Sequence, residues 1–322
     1  MKQPAYHLRS NKAVDRLTLI DAIKRSTKLV EDVSEYTYYG FGGPYLEDFR
    51  LLYEFYPEIN MVSIEDNDEI FKRQRFHTPC NANQLKLKKV EFQSFLARYE
   101  GGGRRSIFWL DYLDLNYGHF EDFMALLAKV SPNSLVKITL RCEPSDYFGK
   151  DDAELSKKKE DFRKQFEAVL PHPSDGPPVM FSDFAELLQE MIQIASQQSL
   201  PSAMPVKFLP ISSFLYKDGV GMFTLTGIVC LRTEEAKVKA AFRTWHLRNL
   251  SWSKPRMIDV PTLSTKERLH LQRRLPCYSR SGRILRRALG YLIDDDVQRT
   301  EAKLKQYADF HRYFPYFMKA IP

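Results

Sequence analysis

The run Gly40-Phe41-Gly42-Gly43-Pro44 follows a strand-like aromatic stretch, Tyr36 to Tyr39, and precedes an amphipathic one, Leu46 to Phe55. Glycines at a strand-to-helix turn let the backbone approach a ligand closely, and the helix start favours negative or polar groups. Some 22 residues after Gly43, Glu65 closes the next apolar stretch, Met61 to Ile64. An acid at that spacing suits the two hydroxyls of a ribose, so the pair points to a nucleoside-bearing ligand. Asp111 ends a third apolar run, SIFWLD, and Tyr112, Asp114 and His119 follow it. Residues at the carboxyl ends of parallel strands face the ligand crevice, which makes Asp111, Asp114 and His119 candidate general bases for a transfer reaction. Blander alternatives stand beside each of these. The glycine run is also a tight turn in some other α/β protein, Asp111 also a capping or loop acid, and His119 also a plain helix-start residue. Phe108 and Trp109 read as core.

The elements that would position these residues alternate. Apolar spacing predicts a helix over 13–30, a strand over 36–39, a helix over 46–55, a strand over 61–64 and a helix over 68–75. A short strand is expected at 90–92, then the Asp111 strand, a helix over 119–130 and a strand over 134–140. This order argues an α/β fold with a mostly parallel sheet and right-handed crossovers. The stretch 142–204 breaks the rhythm with two helices, 154–169 and 181–197, around the Pro-rich PHPSDGPP. Two apolar runs around Lys217-Asp218-Gly219 then read as a hairpin, since an Asp-Gly pair between such runs is a strong turn signal. After Arg232 the pattern is helical and basic, and a last helix is expected over 294–313.

In this arrangement the sequence resembles the class I S-adenosylmethionine-dependent methyltransferases over about Ala13 to Arg232. Their glycine loop follows strand one, acids close strands two and four, and a terminal antiparallel hairpin falls where Lys217-Asp218-Gly219 stands here. The resemblance implies a Rossmann-like sheet and S-adenosylmethionine as cofactor. It implies that Gly40, Gly42 and Gly43 flank the methionine part, that Glu65 holds the ribose, and that Gln93 or Ser94 lies near the adenine. It implies too that Asp111 and Tyr112 face the transferred methyl group, with Asp114 beside them. Three positions depart from the pattern. Tyr38 stands where the family carries an acid for the ligand's amino group, Pro44 replaces the third glycine, and Gln93 or Ser94 replaces the adenine-contact acid. The block Asp111 to Tyr117 is locally similar to metal-dependent O-methyltransferases, but Asp114 stands at their lysine position. Arg141 and Cys142 stand where those enzymes carry an Asp-Asn pair, which argues against a bound Mg²⁺. The stretch Tyr38 to Cys80 also resembles methyltransferase-like proteins of bacterial defence gene clusters, with Arg73, Arg75 and His77 able to face a phosphate or simply to be solvated.

Charge divides the chain. The 322 residues carry a net charge of +7. From Leu231 to Pro322 there are 20 Lys/Arg against 9 Asp/Glu, and the remainder is acidic, 28 against 32. The expected organisation is therefore an α/β domain over 1–232, with a helical insertion at about 142–204, and a basic helical subdomain over 233–322. Trp245 and Trp252 interleave with Arg243, Arg248, Lys254 and Arg256, and Arg273, Arg274, Arg283, Arg286 and Arg287 follow. Cations near aromatics suit single-stranded nucleic acid; docking on the acidic body of the chain, on a protein partner or on a second copy of the chain fits the charge equally. The cysteines Cys80, Cys142, Cys230 and Cys277 are widely spaced, without a zinc pattern. No apolar leader, membrane-length run, Walker A motif or nucleophile elbow is present. A cytoplasmic location is the expectation. Two activities fit: methyl transfer to a nucleic acid, RNA in first place, or to a protein, and a catalytically degenerate binding or sensor subunit of an antiviral complex. A nucleotide-binding hydrolase or transferase of another class on a similar sheet is a third.

Overall fold

A computed structural model describes residues 9–30, 32–78, 84–101, 103–147, 151–172, 178–277 and 280–314. Cys80, most of the Pro-rich stretch and the aromatic tail beyond Phe314 lie outside the described residues.

In chain order the elements are α1 (Ser10–Ser26), β1 (Tyr36–Gly40), α2 (Glu47–Phe55), β2 (Asn60–Glu65), α3 (Asp68–His77), β3 (Leu85–Lys89), α4 (Phe92–Ala97), β4 (Arg105–Asp111), α5 (Tyr117–Leu127) and β5 (Leu135–Arg141). Then come α6 (Asp152–Phe166), α7 (Phe181–Ser199), β6 (Val206–Lys217), β7 (Gly221–Leu231), α8 (Glu235–Phe242), β8 (Arg256–Ile258), α9 (Thr265–Gln272), α10 (Ser281–Leu289) and α11 (Val297–Phe310). The strand order is β3-β2-β1-β4-β5-β7-β6-β8. The pairs β2–β3, β1–β2, β1–β4 and β4–β5 are parallel, and β7 runs antiparallel to β5, with Leu135 opposite Ile228. This is the mostly parallel Rossmann-like sheet with antiparallel strands at one end that the pattern predicts. The order reverses between β1 and β4, and a crevice at the carboxyl ends of the strands follows from that switch.

The chain divides into two compact units, one of residues 19–215 and 220–256 and one of 1–18, 216–219 and 257–322. The larger holds the main core. Phe108, Leu110, Val136 and Ile138 from the sheet pack with Phe120, Phe123 and Leu126 of α5. Phe162 and Phe166 of α6 and Phe184, Leu188, Met191 and Ile192 of α7 join the same core. The stretch between β5 and β6 thus supplies a covering helix for the sheet, because α7 places its apolar residues at helical spacing on one buried face. In the smaller unit Leu271, Leu285, Leu304 and Tyr307 are buried together. There Asp218, in the turn after β6, accepts from the Lys12 N–H (2.8 Å) and the Asn11 side chain (3.1 Å), and so satisfies donors at the start of α1.

The third strand differs from the expectation. It lies at Leu85–Lys89 rather than 90–92, and Phe92 opens α4. Strand β3 is an edge whose LKLKK sequence alternates lysines with leucines, so it lacks the continuous apolar run that marks an interior parallel strand. Among the described residues no helix is long and apolar enough to cross a membrane.

Candidate functional site

The glycine loop is held by packing from below and by hydrogen bonds from the side. Gly42 has φ +72°, and a Cβ there would lie 2.8–2.9 Å from Phe49, Leu46 and the Ser63 hydroxyl. Only glycine meets both conditions. Gly43 also has positive φ (+53°), but a Cβ there would meet nothing within 4 Å, so its backbone borders open space. A Cβ at Gly40 would lie 2.8 Å from the Tyr38 hydroxyl. Tyr38 itself is fully buried, its ring edge-on to Phe49 at 5.0 Å. The residue standing in place of the family's acid is therefore part of the packing beneath the loop.

Two residues that the sequence reading did not single out fix the loop. Gln74 of α3 is fully buried and donates to the carbonyls of Phe41 (2.9 Å) and Gly43 (3.0 Å). Its amide oxygen accepts from the hydroxyl of Ser63 on β2 (2.9 Å). Helix α3 can deliver Gln74 because Asn67 caps it, accepting from the N–H groups of Glu69 and Ile70 at 3.0 Å each. The same turn orients Glu65, whose carboxylate accepts from the Asn67 N–H at 2.9 Å. Burial holds the Glu65 carboxyl above its ordinary range, against the lowering effect of that hydrogen bond.

At the carboxyl end of β4 a second cluster forms. His119 Nε2 pairs with Asp114 Oδ1 at 2.7 Å, and Asn116 donates to the other Asp114 oxygen at 3.3 Å. The imidazole stacks on the Tyr112 ring, centroids 3.7 Å apart and planes 12° from parallel. The Tyr112 hydroxyl donates to Asp122 of α5 at 2.8 Å, and Gln93 donates to the same oxygen at 2.9 Å. Asp122 is buried, and burial raises its carboxyl above the usual range while the Tyr112 and Gln93 hydrogen bonds oppose the shift. Burial, then the Asp122 charge, holds the Tyr112 phenol protonated far beyond neutral pH. Phe41 links the two clusters, edge-on to Tyr112 at 5.4 Å.

The structure thus brings Asp114, His119 and Tyr112 together, and it sets Gly42, Gly43 and Glu65 at the carboxyl ends of β1 and β2. Asp111 ends β4, in register with Thr139. Gln93 is committed to Asp122. Ser94 instead lines a cleft on the sheet face with Thr37 and Ser106, toward the strands' amino ends. Gln74, Ser63 and Asp122 escaped the sequence reading because a polar residue inside a helix or strand carries no local sign that it will be buried. The loop and Glu65 fit a nucleoside-bearing cofactor through open backbone at Gly43 and a fixed carboxylate. A carboxylate for a ligand amino group at position 38 is missing. Among the described residues no group of three or more His, Cys, Asp or Glu side chains is placed to hold a metal ion.

The nine cations singled out in the sequence divide between the units. Arg243, Arg248, Lys254 and Arg256 lie in the larger unit, and Arg273, Arg274, Arg283, Arg286 and Arg287 in the smaller. Lys254 pairs with Glu186 and Arg286 with Glu301, both at 2.9 Å. Trp245 is fully buried, packed near Phe242, so it is not open to a stacking base.

A family model described as "Putative O-methyltransferase" matches residues 4–322. No curated protein matches the sequence. Among solved structures the chain is similar to a "putative O-methyltransferase" from Klebsiella pneumoniae, at 10% identity and a TM-score of 0.38, over 70% of this chain and 83% of that one. It is similar to a "probable spermidine synthase" from Corynebacterium glutamicum, at 13% identity and a TM-score of 0.39, over 76% and 81%. It is also similar to LepI in complex with SAM, at 11% identity and a TM-score of 0.34, over 61% of this chain and 42% of that one. Of LepI the chain therefore spans less than half.

Proposed function

The chain belongs to the family described as "Putative O-methyltransferase", and from that premise we propose that it transfers the methyl group of S-adenosylmethionine to an acceptor oxygen, with His119 as the general base. When bound, the cofactor supplies an electrophilic methyl carbon. The backbone at Gly43 and the Glu65 carboxylate would hold its nucleoside and methionine parts. The protein's own work is positioning and proton removal, and methyl transfer asks for little else.

The observation that carries this reading is the Asp114–His119 pair. Asp114 accepts from one imidazole nitrogen at 2.7 Å, which fixes the ring's tautomer and stabilises the imidazolium that forms as a hydroxyl is deprotonated. Stacking on Tyr112 fixes the ring plane, and Asp122 fixes Tyr112. Asp114 and His119 follow the carboxyl end of β4, the side of an α/β sheet where ligands sit. The exposed arginines Arg273, Arg274, Arg283 and Arg287 support an anionic acceptor, with RNA ahead of an acidic protein. A second reading, a binding subunit without turnover in a defence complex, is favoured by Tyr38, which gives the cofactor's amino group no carboxylate.

One experiment separates the two readings. Calorimetry with S-adenosylhomocysteine is followed by methyl-transfer assays on oligonucleotide and protein pools, for wild type and His119→Ala. The first reading expects binding in both proteins and a loss of about 10²- to 10⁴-fold in turnover in the variant. Binding without turnover in wild type supports the second, and absence of binding ends the first.

A further inference from the structure

Faces of a parallel sheet are normally covered by helices. Here α4 has six residues, against eleven in α5 and nineteen in α7. It leaves the face of β3, β2, β1 and the start of β4 open, as a cleft of about 710 Å³. That volume falls in the range of small-molecule sites, about 300–1,000 Å³. Its floor includes Asn60, Thr37 and Ser106, which stand in one row across β2, β1 and β4. The row lies at the amino ends of the strands, whereas Gly40, Glu65 and Asp111 mark the carboxyl ends. The floor of the cleft is therefore set apart from those residues along the strands, while Lys89 and Val90, level with Glu65, border the cleft at its other end.

Two chemistries meet in it. One is aromatic. The Tyr39 ring lies flat on Phe108 at 4.4 Å and edge-on to Tyr99 at 5.6 Å, and the Tyr99 hydroxyl shares a 2.6 Å hydrogen bond with Ser106. The other is cationic. Lys86 and Lys88 project from the same face of β3, about 6.6 Å apart by strand geometry, and Arg98 and Arg104 line the cleft from the α4 and β4 side. All four are exposed, and among the described residues none forms an ion pair. Lys89 is different, being paired with Asp68, and Glu100 is the one acid among the lining residues. Lysines on an edge strand by themselves guard against strand addition. That need does not explain two arginines on the opposite wall, nor a floor of hydroxyl and amide groups.

We infer that this cleft binds a nucleotide, its base against Tyr39 and Tyr99 and its phosphate drawn by the cations that border the cleft, Lys86 and Lys88 on one wall and Arg98 and Arg104 on the other. Stacking on aromatic side chains is tolerant of base identity, and phosphate contacts supply salt-dependent affinity. The nucleotide is either free or one residue of a single strand. Neither source depends on methyl transfer.

The test titrates the full chain with AMP and UMP by calorimetry, and with a fluorescein-labelled single-stranded RNA decamer by anisotropy, at roughly 50 and 200 mM salt. S-adenosylhomocysteine is titrated in parallel. The variants are Lys86→Glu/Lys88→Glu and Arg98→Glu, so that if one fails to fold the other still decides. Mononucleotide binding supports a free ligand, and binding of the decamer alone supports a strand. In either case each variant is expected to weaken it at least about tenfold, a change of about 1.4 kcal/mol, while S-adenosylhomocysteine binds as in wild type. The inference is overturned if neither probe binds, if charge reversal leaves binding intact, or if S-adenosylhomocysteine competes with the nucleotide. Loss of S-adenosylhomocysteine binding in wild type, with nucleotide binding retained, would sink the methyltransferase reading and leave this one standing.

Discussion

Gln74→Met tests whether the glycine loop is preorganised from α3. Methionine keeps the length and unbranched shape of glutamine and removes both amide donors and the acceptor. Three partners lose a hydrogen bond: the Phe41 carbonyl, the Gly43 carbonyl and the Ser63 hydroxyl. Gly43 borders open space, so its carbonyl can take up water. Ser63 is fully buried, and the Phe41 carbonyl sits against it. The Ser63 hydroxyl can then donate to the Phe41 carbonyl, 3.5 Å away, so the pair stays only weakly satisfied and the loop is expected to lose about 1–3 kcal/mol. Local opening sets amide exchange, so exchange across residues 41–46, including the Leu46 N–H that bonds Gly42, should speed up roughly 5- to 140-fold. Hydrogen exchange read by mass spectrometry resolves this, with peptides of α7 as the unchanged control. S-adenosylhomocysteine affinity should fall by about tenfold or more, because the ligand would have to order the loop. A cycle with Ser63→Ala should show coupling of about 0.5–3 kcal/mol, since the two side chains touch. Unchanged exchange in the loop, or strict additivity with Ser63→Ala, would refute the clamp.

Gly42→Ala combines strained φ with three contacts under 3 Å, and it should lower stability by about 1–3 kcal/mol in urea unfolding. Glu65→Gln should raise the urea midpoint at neutral pH while weakening S-adenosylhomocysteine roughly 10- to 100-fold. The weakening follows from losing charged hydrogen bonds to a ribose. The stabilisation follows from burial, which raises the Glu65 carboxyl, so its charged form costs stability as pH climbs above the unfolded value. Glu235 has the opposite sign. Hydrogen bonds from Lys239 and Lys207 lower it to about 2. Its contribution is present above the unfolded value of about 4.3 and is lost as pH falls from there toward 2. Glu235→Gln should flatten the acid-unfolding curve in that window and cost under about 1 kcal/mol at pH 7, because the pair is partly solvated.

The alternation of elements was legible because its signals are local. The glycine run, the Asp-Gly turn and the apolar periods of β4, α5 and β5 each act within a few residues, where backbone sterics and side-chain spacing decide. Gly42 and Gly43 do take positive φ, and Glu65 does close β2. The edge strand β3 was displaced in the reading because LKLKK satisfies its leucines against one neighbour and leaves its lysines in water, a pattern that an apolar-run criterion overlooks.

The sequence by itself determined the alternation of strands and helices from β1 to β7 apart from β3 and α4, the glycine loop with its acid, and the division of charge along the chain. Only the tertiary structure decided which polar side chains work together. Gln74 reaches a loop more than thirty residues earlier, Asp122 draws Gln93 and Tyr112 to one oxygen, and Tyr38 lies under Gly40 as packing. Trp245, which the pattern offered to a nucleic acid, is buried. Burial and hydrogen-bond partnership depend on contacts between distant segments, whose cost or gain is set by which groups lose water together. Nothing in the local sequence encodes that sum.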